Sequence, residues 1–281
     1  MSDYLAAQTR TETDSIGSLE IPAAAYWGVH TARAHENFPI ARRPISVYPN
    51  FIRAFACVKQ AAARANLEIG ALDEQRATLI DRACEEIKSG MLHDQFVVGV
   101  VQGGAGTSTN MNSNEVITNR ALELAGHPKG DYDFINPNDH TNRSQSTNDT
   151  YPTAIKIALA FSLESLLVEL DLLSQSFAAK GREFSHIVKV GRTQLQDAVP
   201  MTLGQEFNAF AVTLREDIER LREAVTLLRE VNMGATAIGT GINAPRGYKE
   251  TVIRHLREIT ELDLETAGDL VESTSDTGVF I

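Results

Sequence analysis

Cysteine is almost missing from these 281 residues: Cys57 and Cys84 are the whole complement. Both fall in stretches with helical spacing, so they read as buried thiols, and a disulfide framework is excluded. Positive charge is scarce as well. The 26 Lys and Arg face 37 Asp and Glu, a formal charge of −11, and the pI is near 5.1. A nucleic-acid binder carries a basic stripe, and none is present. A local set of donors can still take an anionic ligand against that global charge. No apolar run approaches the roughly 20 residues that span a bilayer, and Met1–Ser18 holds no apolar core of the signal-peptide type. The chain is therefore expected to be soluble and cytoplasmic, with no membrane or nucleic-acid partner. Two glycosylation triplets, at Asn142 and Asn148, mean nothing without secretion.

What the sequence does have is apolar residues at helical spacing, 43% of the chain being hydrophobic. Ile155, Leu159, Leu163, Leu166, Leu170, Leu173 and Phe177 recur at three or four residues. The spacing predicts a helix running to about Lys180, capped by Asp149 or Thr150, with Pro152 in its first turn. That is a rod of roughly 45 Å, long for a globular helix and usual in a bundle. A second rod carries Leu203, Phe207, Phe210, Leu214, Ile218, Leu221, Val225 and Leu228. It follows a Thr202–Gln205 capping box. Its period of about 3.5 implies a left-handed supercoil with the first rod. Shorter helices are expected over 50–66, over 73–89, from Thr107 to about Leu124, and from Tyr248 to about Glu261. Residues 14–50, with four prolines and the lone Trp27, read as an arm packed on the helical body. Ser275–Ile281 read as the start of a further apolar element.

Polar loops open three of these helices. Gln102–Glu115 holds Gly103, Gly104 and Gly106, which allow tight turns, and then Thr, Ser and Asn at a helix start, whose free amides attract anions. A phosphate loop is excluded, because the required Gly-Lys-Ser/Thr is absent. Asn136–Thr150 crowds neutral hydrogen-bonding side chains at the mouth of the first rod. Gly191–Pro200 is a further polar loop, ahead of the second. Gly239–Ala244 superficially fits a dinucleotide fingerprint, but it follows a helix and runs into Pro245, so a nicotinamide oxidoreductase is set aside.

Taken together, Gly103-Gly104-Ala105-Gly106-Thr107-Ser108-Thr109-Asn110-Met111-Asn112, Ser144-Gln145-Ser146-Thr147-Asn148-Asp149 and Gly191-Arg192-Thr193-Gln194-Leu195-Gln196-Asp197 resemble the aspartase/fumarase superfamily. Tyr26-Trp27-Gly28 with Asn37-Phe38 matches that family's N-terminal arm. The resemblance covers the chain from Asp14 onward. It implies an all-α fold: an N-terminal helical domain with an extended arm over 1–143, and over 144–281 an incomplete long-helix bundle. Within the superfamily the likeness is closest to the aspartate ammonia-lyases. Fumarases usually carry His where this chain has Gln194, Ser in place of Thr147, and Gln in place of Ser108.

The resemblance implies reversible anti elimination of ammonia from L-aspartate to give fumarate, with no cofactor and no metal ligand set. Gly106 and Thr107 are expected to bind substrate from the first loop. Ser146, Thr147 and Asn148 hold the β-carboxylate and amino group, and Thr193, beside Gln194, binds the α-carboxylate. It also implies a homotetramer whose active sites combine loops from neighbouring subunits. The family's general base is a serine on a mobile glycine- and serine-rich loop, and that segment is absent here. The chain is thus expected to stop before it, and no catalytic base is assigned within these residues. His140 is a weak substitute, better read as structural or as part of a second site. The alternatives are a class II fumarase acting on fumarate and malate, and a non-catalytic protein on the same scaffold.

Overall fold

The computed structural model describes residues 8–275, so all of the Ser275–Ile281 segment but its first residue lies outside the described part. In chain order the elements are β1 (Thr9–Asp14), β2 (Gly17–Pro22), α1 (Val29–Asn37), α2 (Pro49–Glu68), α3 (Glu74–Lys88), α4 (Thr107–Leu124), α5 (Thr147–Glu183), β3 (Val188–Thr193), β4 (Gln196–Thr202), α6 (Leu203–Val225), β5 (Glu230–Val231), α7 (Tyr248–Thr260), β6 (Glu265–Thr266) and α8 (Leu270–Ser275). The architecture is helical, as expected; among the described residues the strands form two-stranded sheets only. The chain divides into two compact units, one from the residues up to Leu159 with those from Arg229 onward, the other Ala160–Leu228.

In the first unit the arm is a hairpin and a short helix. β1 and β2 pair antiparallel, with Thr9 opposite Pro22 and Asp14 opposite Gly17. The core lies among α2, α3 and α4, where Ile52, Ile80, Ile87, Ile117 and Leu122 are fully buried. Ala54, Ala56, Ala61, Ala62 and Ala65 bury most of α2. Their small side chains let α3 and α7 pack close to its axis. Pro49 opens α2. Asp73 caps α3 by accepting the Arg76 N–H at 3.0 Å, which satisfies one of the helix's free amides.

Helix α5 starts earlier than the sequence suggests. Ser146, not Asp149 or Thr150, is its cap. Ser146 Oγ accepts the Asn148 N–H at 3.2 Å, and Asp149 Oδ1 accepts the Ser146 N–H at 3.0 Å. Serine and aspartate thus cap each other's ends of the turn. Pro152 then falls inside the helix rather than in its first turn, and cannot donate to the carbonyl four residues back. That carbonyl, Asn148 O, accepts instead from Asn232 Nδ2 at 3.0 Å. At 37 residues, α5 is about 55 Å long. Its predicted stripe is not its buried face: Leu159, Leu166 and Leu173 are exposed, whereas Thr153, Ala154, Lys156, Ile157 and Ser174 are buried. α5 is apolar on several sides, so periodicity selected one stripe among several.

In the second unit the expected pairing of rods is present. Phe177 meets Phe207 and Phe210 with ring centroids 5.8 and 5.5 Å apart, and Phe184 meets Phe207 at 5.3 Å. Ser174 Oγ donates to Ala211 O at 3.0 Å. The Thr202–Gln205 capping box forms reciprocally, at 3.1 and 2.9 Å. The Gly191–Pro200 loop is corrected to a hairpin, β3 antiparallel to β4 with Thr193 opposite Gln196. No described helix is long and apolar enough to cross a membrane.

Candidate functional site

The first unit gathers five of the seven residues singled out for binding. Gly106 is the N-cap of α4, with φ +88°, and its Cα faces the Tyr151 ring of α5 so closely that a Cβ there would lie 2.2 Å from the ring. Thr107 follows, exposed, with its hydroxyl donating to Gly104 O at 2.6 Å. Ser146, Thr147 and Asn148 form the first turn of α5 and its cap. Asn148 Nδ2 donates to Ala237 O at 2.6 Å. Two helix N-termini, each rich in hydroxyl and amide groups, therefore meet. Their uncharged side chains and the positive ends of the two helix dipoles suit a small anion, although the amides of Thr107, Thr109 and Asn148 are already bonded within the protein.

Thr193 and Gln194 belong to the second unit, at the tip of the β3–β4 hairpin. Gln194 and Leu195 have φ of +46° and +65°, the pair of left-handed residues that a two-residue hairpin turn requires. The tip is exposed.

Residues to which the sequence assigned no binding role hold the two helix starts together. Asn110, one turn into α4, donates through Nδ2 to Thr147 Oγ1 at 3.0 Å and to Asn142 Oδ1 at 3.2 Å. Lys59 of α2 is fully buried and donates to Asn142 Oδ1 and Gln145 Oε1, both at 2.9 Å. Asp149 accepts backbone N–H groups from Ser146, Gly234 and Thr236, the last at 2.9 Å. It thereby fixes the start of α5 to the 234–236 turn. Burial pushes the Asp149 carboxyl up to about 6 and the Lys59 ammonium down to about 7, with Asp149 opposing the latter shift. Both follow from the cost of charge in a low-dielectric interior. His140 lies in a π-helical turn, Pro137–Thr141, and its Nδ1 accepts the Asn136 N–H at 2.8 Å. That lone pair is already used by the turn itself.

The Lys59 shift makes a prediction about stability. Its folded value lies below the usual lysine range, so between about pH 7 and the unfolded value near 10.4 the unfolded chain binds the extra proton. Stability from this group therefore rises with pH across that window. Relative to Lys59→Met, the wild-type chain is expected to gain on the order of 4 kcal/mol between those limits. Urea unfolding of both proteins at neutral and alkaline pH reads the difference; parallel pH curves would exclude it.

Much of this organisation comes from α4, whose Asn110, Asn112, Ser113, Asn114, Glu115, Thr118 and Asn119 are all buried. Buried polar groups are stable only when partnered, and all of these but Ser113 and Asn114 tie segments together. Asn112 Nδ2 reaches Gln95 O at 3.0 Å, Thr118 pairs with Thr141 at 2.7 Å, and Asn119 Nδ2 reaches Tyr26 O at 2.7 Å. Glu115 accepts three backbone N–H groups at the start of α1, from Gly28 and His30 at 2.8 Å and from Thr31 at 3.1 Å. Among the described residues no three His, Cys, Asp or Glu side chains gather as a metal site.

Comparison with known proteins adds to this geometry. The lyase family's sequence profile matches residues 17–281. An aspartate ammonia-lyase of Pseudomonas aeruginosa is 55% identical over 276 residues, spanning 98% of this chain and 58% of that protein. The Escherichia coli aspartate ammonia-lyase is 51% identical over 273 residues, 97% of this chain and 57% of that protein. A solved Brucella melitensis "fumarate lyase:delta crystallin", bound to cobalt, superposes with a TM-score of 0.94 at 54% identity, over 97% of this chain and 59% of that one. A class II fumarase from Schistosoma mansoni superposes at 0.86 with 30% identity, over 95% and 59%. The chain thus spans about 58% of the length of the curated relatives it matches.

Proposed function

Because the chain belongs to the lyase family and, within it, to the aspartase/fumarase superfamily, we propose that it forms the substrate-binding part of an aspartate ammonia-lyase. The observation that carries this is the meeting of two uncharged, hydroxyl-rich helix N-termini at Gly106–Thr107 and Ser146–Asn148, linked through Asn110. The substrate is L-aspartate, and the products are fumarate and ammonia. Removing a proton beside the β-carboxylate builds a doubly charged aci-carboxylate. Neutral donors fixed in advance stabilise that charge without reorganising. Each hydrogen bond to a charged group contributes on the order of 1.5–3 kcal/mol. Thr107 with Gly106 binds from the first loop, Ser146, Thr147 and Asn148 hold the β-carboxylate and amino group, and Thr193 beside Gln194 takes the α-carboxylate. The base is a serine that these 281 residues do not supply.

The working protein is a cytoplasmic homotetramer in this reading. Supporting self-association are the uncovered apolar residues of the second unit, among them Leu166, Val168, Leu172 and Leu173 on α5 and Phe210 on α6, where a second copy's rods would pack. The decisive experiment mixes the purified chain with the matching C-terminal segment of the Pseudomonas aeruginosa relative and follows fumarate by absorbance. Production from L-aspartate, and not from malate, is expected, with no ammonia release by the chain alone. Turnover of malate instead would reassign the chain to hydration. Ammonia release without the added segment would require a base within these residues.

A further inference from the structure

Thr147 Oγ1 accepts from Asn110 Nδ2, and among the described residues nothing accepts the Thr147 hydroxyl hydrogen. The chain of bonds behind it has a fixed direction. A protonated lysine has three donors and no acceptor, so both groups facing Lys59 Nζ are side-chain oxygens, Asn142 Oδ1 and Gln145 Oε1. Asn142 Oδ1 then demands a donor from its other neighbour, and Asn110 turns its Nδ2 that way. The same NH2 group reaches Thr147 Oγ1 with its second hydrogen, while Asn110 Oδ1 faces Thr150 Oγ1 at 3.3 Å. Asn110 gives Thr147 Oγ1 a hydrogen and so does not take its own, which leaves the hydroxyl hydrogen for a carboxylate, a ligand that can only accept.

We propose that Lys59 is a positioning residue that sets the direction of this hydrogen-bond chain, so that the Thr147 hydroxyl is presented as a donor to the carboxylate of the substrate. The inference deepens the function proposed above and rests on it for the identity of the anion. A neutral amine at Lys59 could accept as well as donate, so loss of its proton would release Asn142 and Asn110 from their orientation. The groups that bear on Lys59 electrostatically are Asp149 of α5 and Cys84 of α3; Tyr248 of α7 bears on Asp149 in turn. The Cys84 thiol is pushed up by burial and stays neutral through this range, as does Tyr248, which burial also raises.

The test is nuclear magnetic resonance of the full 281-residue chain without ligand, labelled with 15N in lysine and asparagine and titrated through pH 7. The expected result is one shared midpoint for Lys59 Nζ and the side-chain amides of Asn110 and Asn142. In Lys59→Met, with circular dichroism as the check on its folding, that step in both amides is expected to be lost. Asn110 and Asn142 amides that ignore Lys59 titration, or that shift identically in Lys59→Met, would overturn the proposal. Should Lys59→Met fail to fold, the wild-type midpoints decide: amides that follow Lys59 Nζ support the proposal, and amides that follow the Asp149 carboxyl, which burial pushes up to about 6, overturn it. A global structural role would move unfolding but produce no such coupled step. Because no ligand is present, the outcome is independent of whether L-aspartate is turned over.

Discussion

Gly106→Ala is expected to destabilise the chain by about 4 kcal/mol and to unseat the first binding loop. Two effects add. The backbone at Gly106 has φ +88°, a conformation that costs a residue with a Cβ about 1 kcal/mol or more. The new Cβ would also lie 2.2, 2.4 and 2.5 Å from three atoms of the Tyr151 ring. That ring cannot swing aside freely, since Phe51 and Phe55 pack edge-on against it with centroids 5.5 and 6.0 Å away. The loop has to move instead, and Gly106 is the cap from which Thr107 and α4 follow. Urea unfolding of the variant reads the loss. The double variant Gly106→Ala/Tyr151→Ala separates the two effects: it removes the overlap and leaves the backbone strain, so the alanine should cost only about 1 kcal/mol relative to Tyr151→Ala alone. A loss below that figure in the single variant would mean that the two helix starts are not held against each other.

The site divides into a part that local sequence announces and a part that it does not. Gly106 to Asn110 and Ser146 to Asp149 were visible because glycines, hydroxyls and amides at a helix start have local meanings. The helices were bounded within two residues over α2, α3 and α4, because a proline, an aspartate cap and closing glycines mark their ends. Lys59 was not visible. A single lysine in an alanine-rich helix usually carries its charge to water, and its partners Asn142 and Gln145 lie 83 and 86 residues further along. The buried polar residues of α4 gave no such signal either: a helix so rich in Asn, Ser and Thr does not announce that Asn110, Asn112, Glu115, Thr118 and Asn119 tie down other segments. The β3–β4 hairpin escaped because both of its faces are largely exposed. No alternation of apolar and polar residues is needed there, and its turn is Gln194-Leu195 rather than Asn-Gly. What remained hidden is pairing across sequence, which no window of neighbouring residues contains.

Glu115→Ala is expected to cost roughly 3–5 kcal/mol and to loosen the N-terminal arm. The first amides of any helix lack partners within it, and α1 begins at a glycine that has no side chain to cap them. Two remote carboxylates replace the cap. Glu12 of β1 accepts the Val29 N–H at 2.9 Å, and Glu115 of α4 accepts those of Gly28, His30 and Thr31. Both are buried, at 4% and 0% exposure, so water does not compete. Gly28 is required for this arrangement, since a Cβ there would sit 2.4 Å from Glu12 Oε2 and 2.6 Å from the Tyr132 hydroxyl. Truncating Glu115 leaves two buried N–H groups and the half-buried one of His30 without an acceptor, each buried one costing about 1–3 kcal/mol. Removing a carboxyl that burial holds above its usual range returns part of that cost, which is why the net loss is smaller than the sum. Hydrogen exchange localises the effect. Amides of Gly28 to Thr31 should lose protection in Glu115→Ala well beyond the global change, while Glu115→Gln, which keeps one acceptor, should fall between. Unchanged protection in that stretch would mean that α1 is held by its apolar contacts alone, and that the buried carboxylate of α4 has no part in seating the arm.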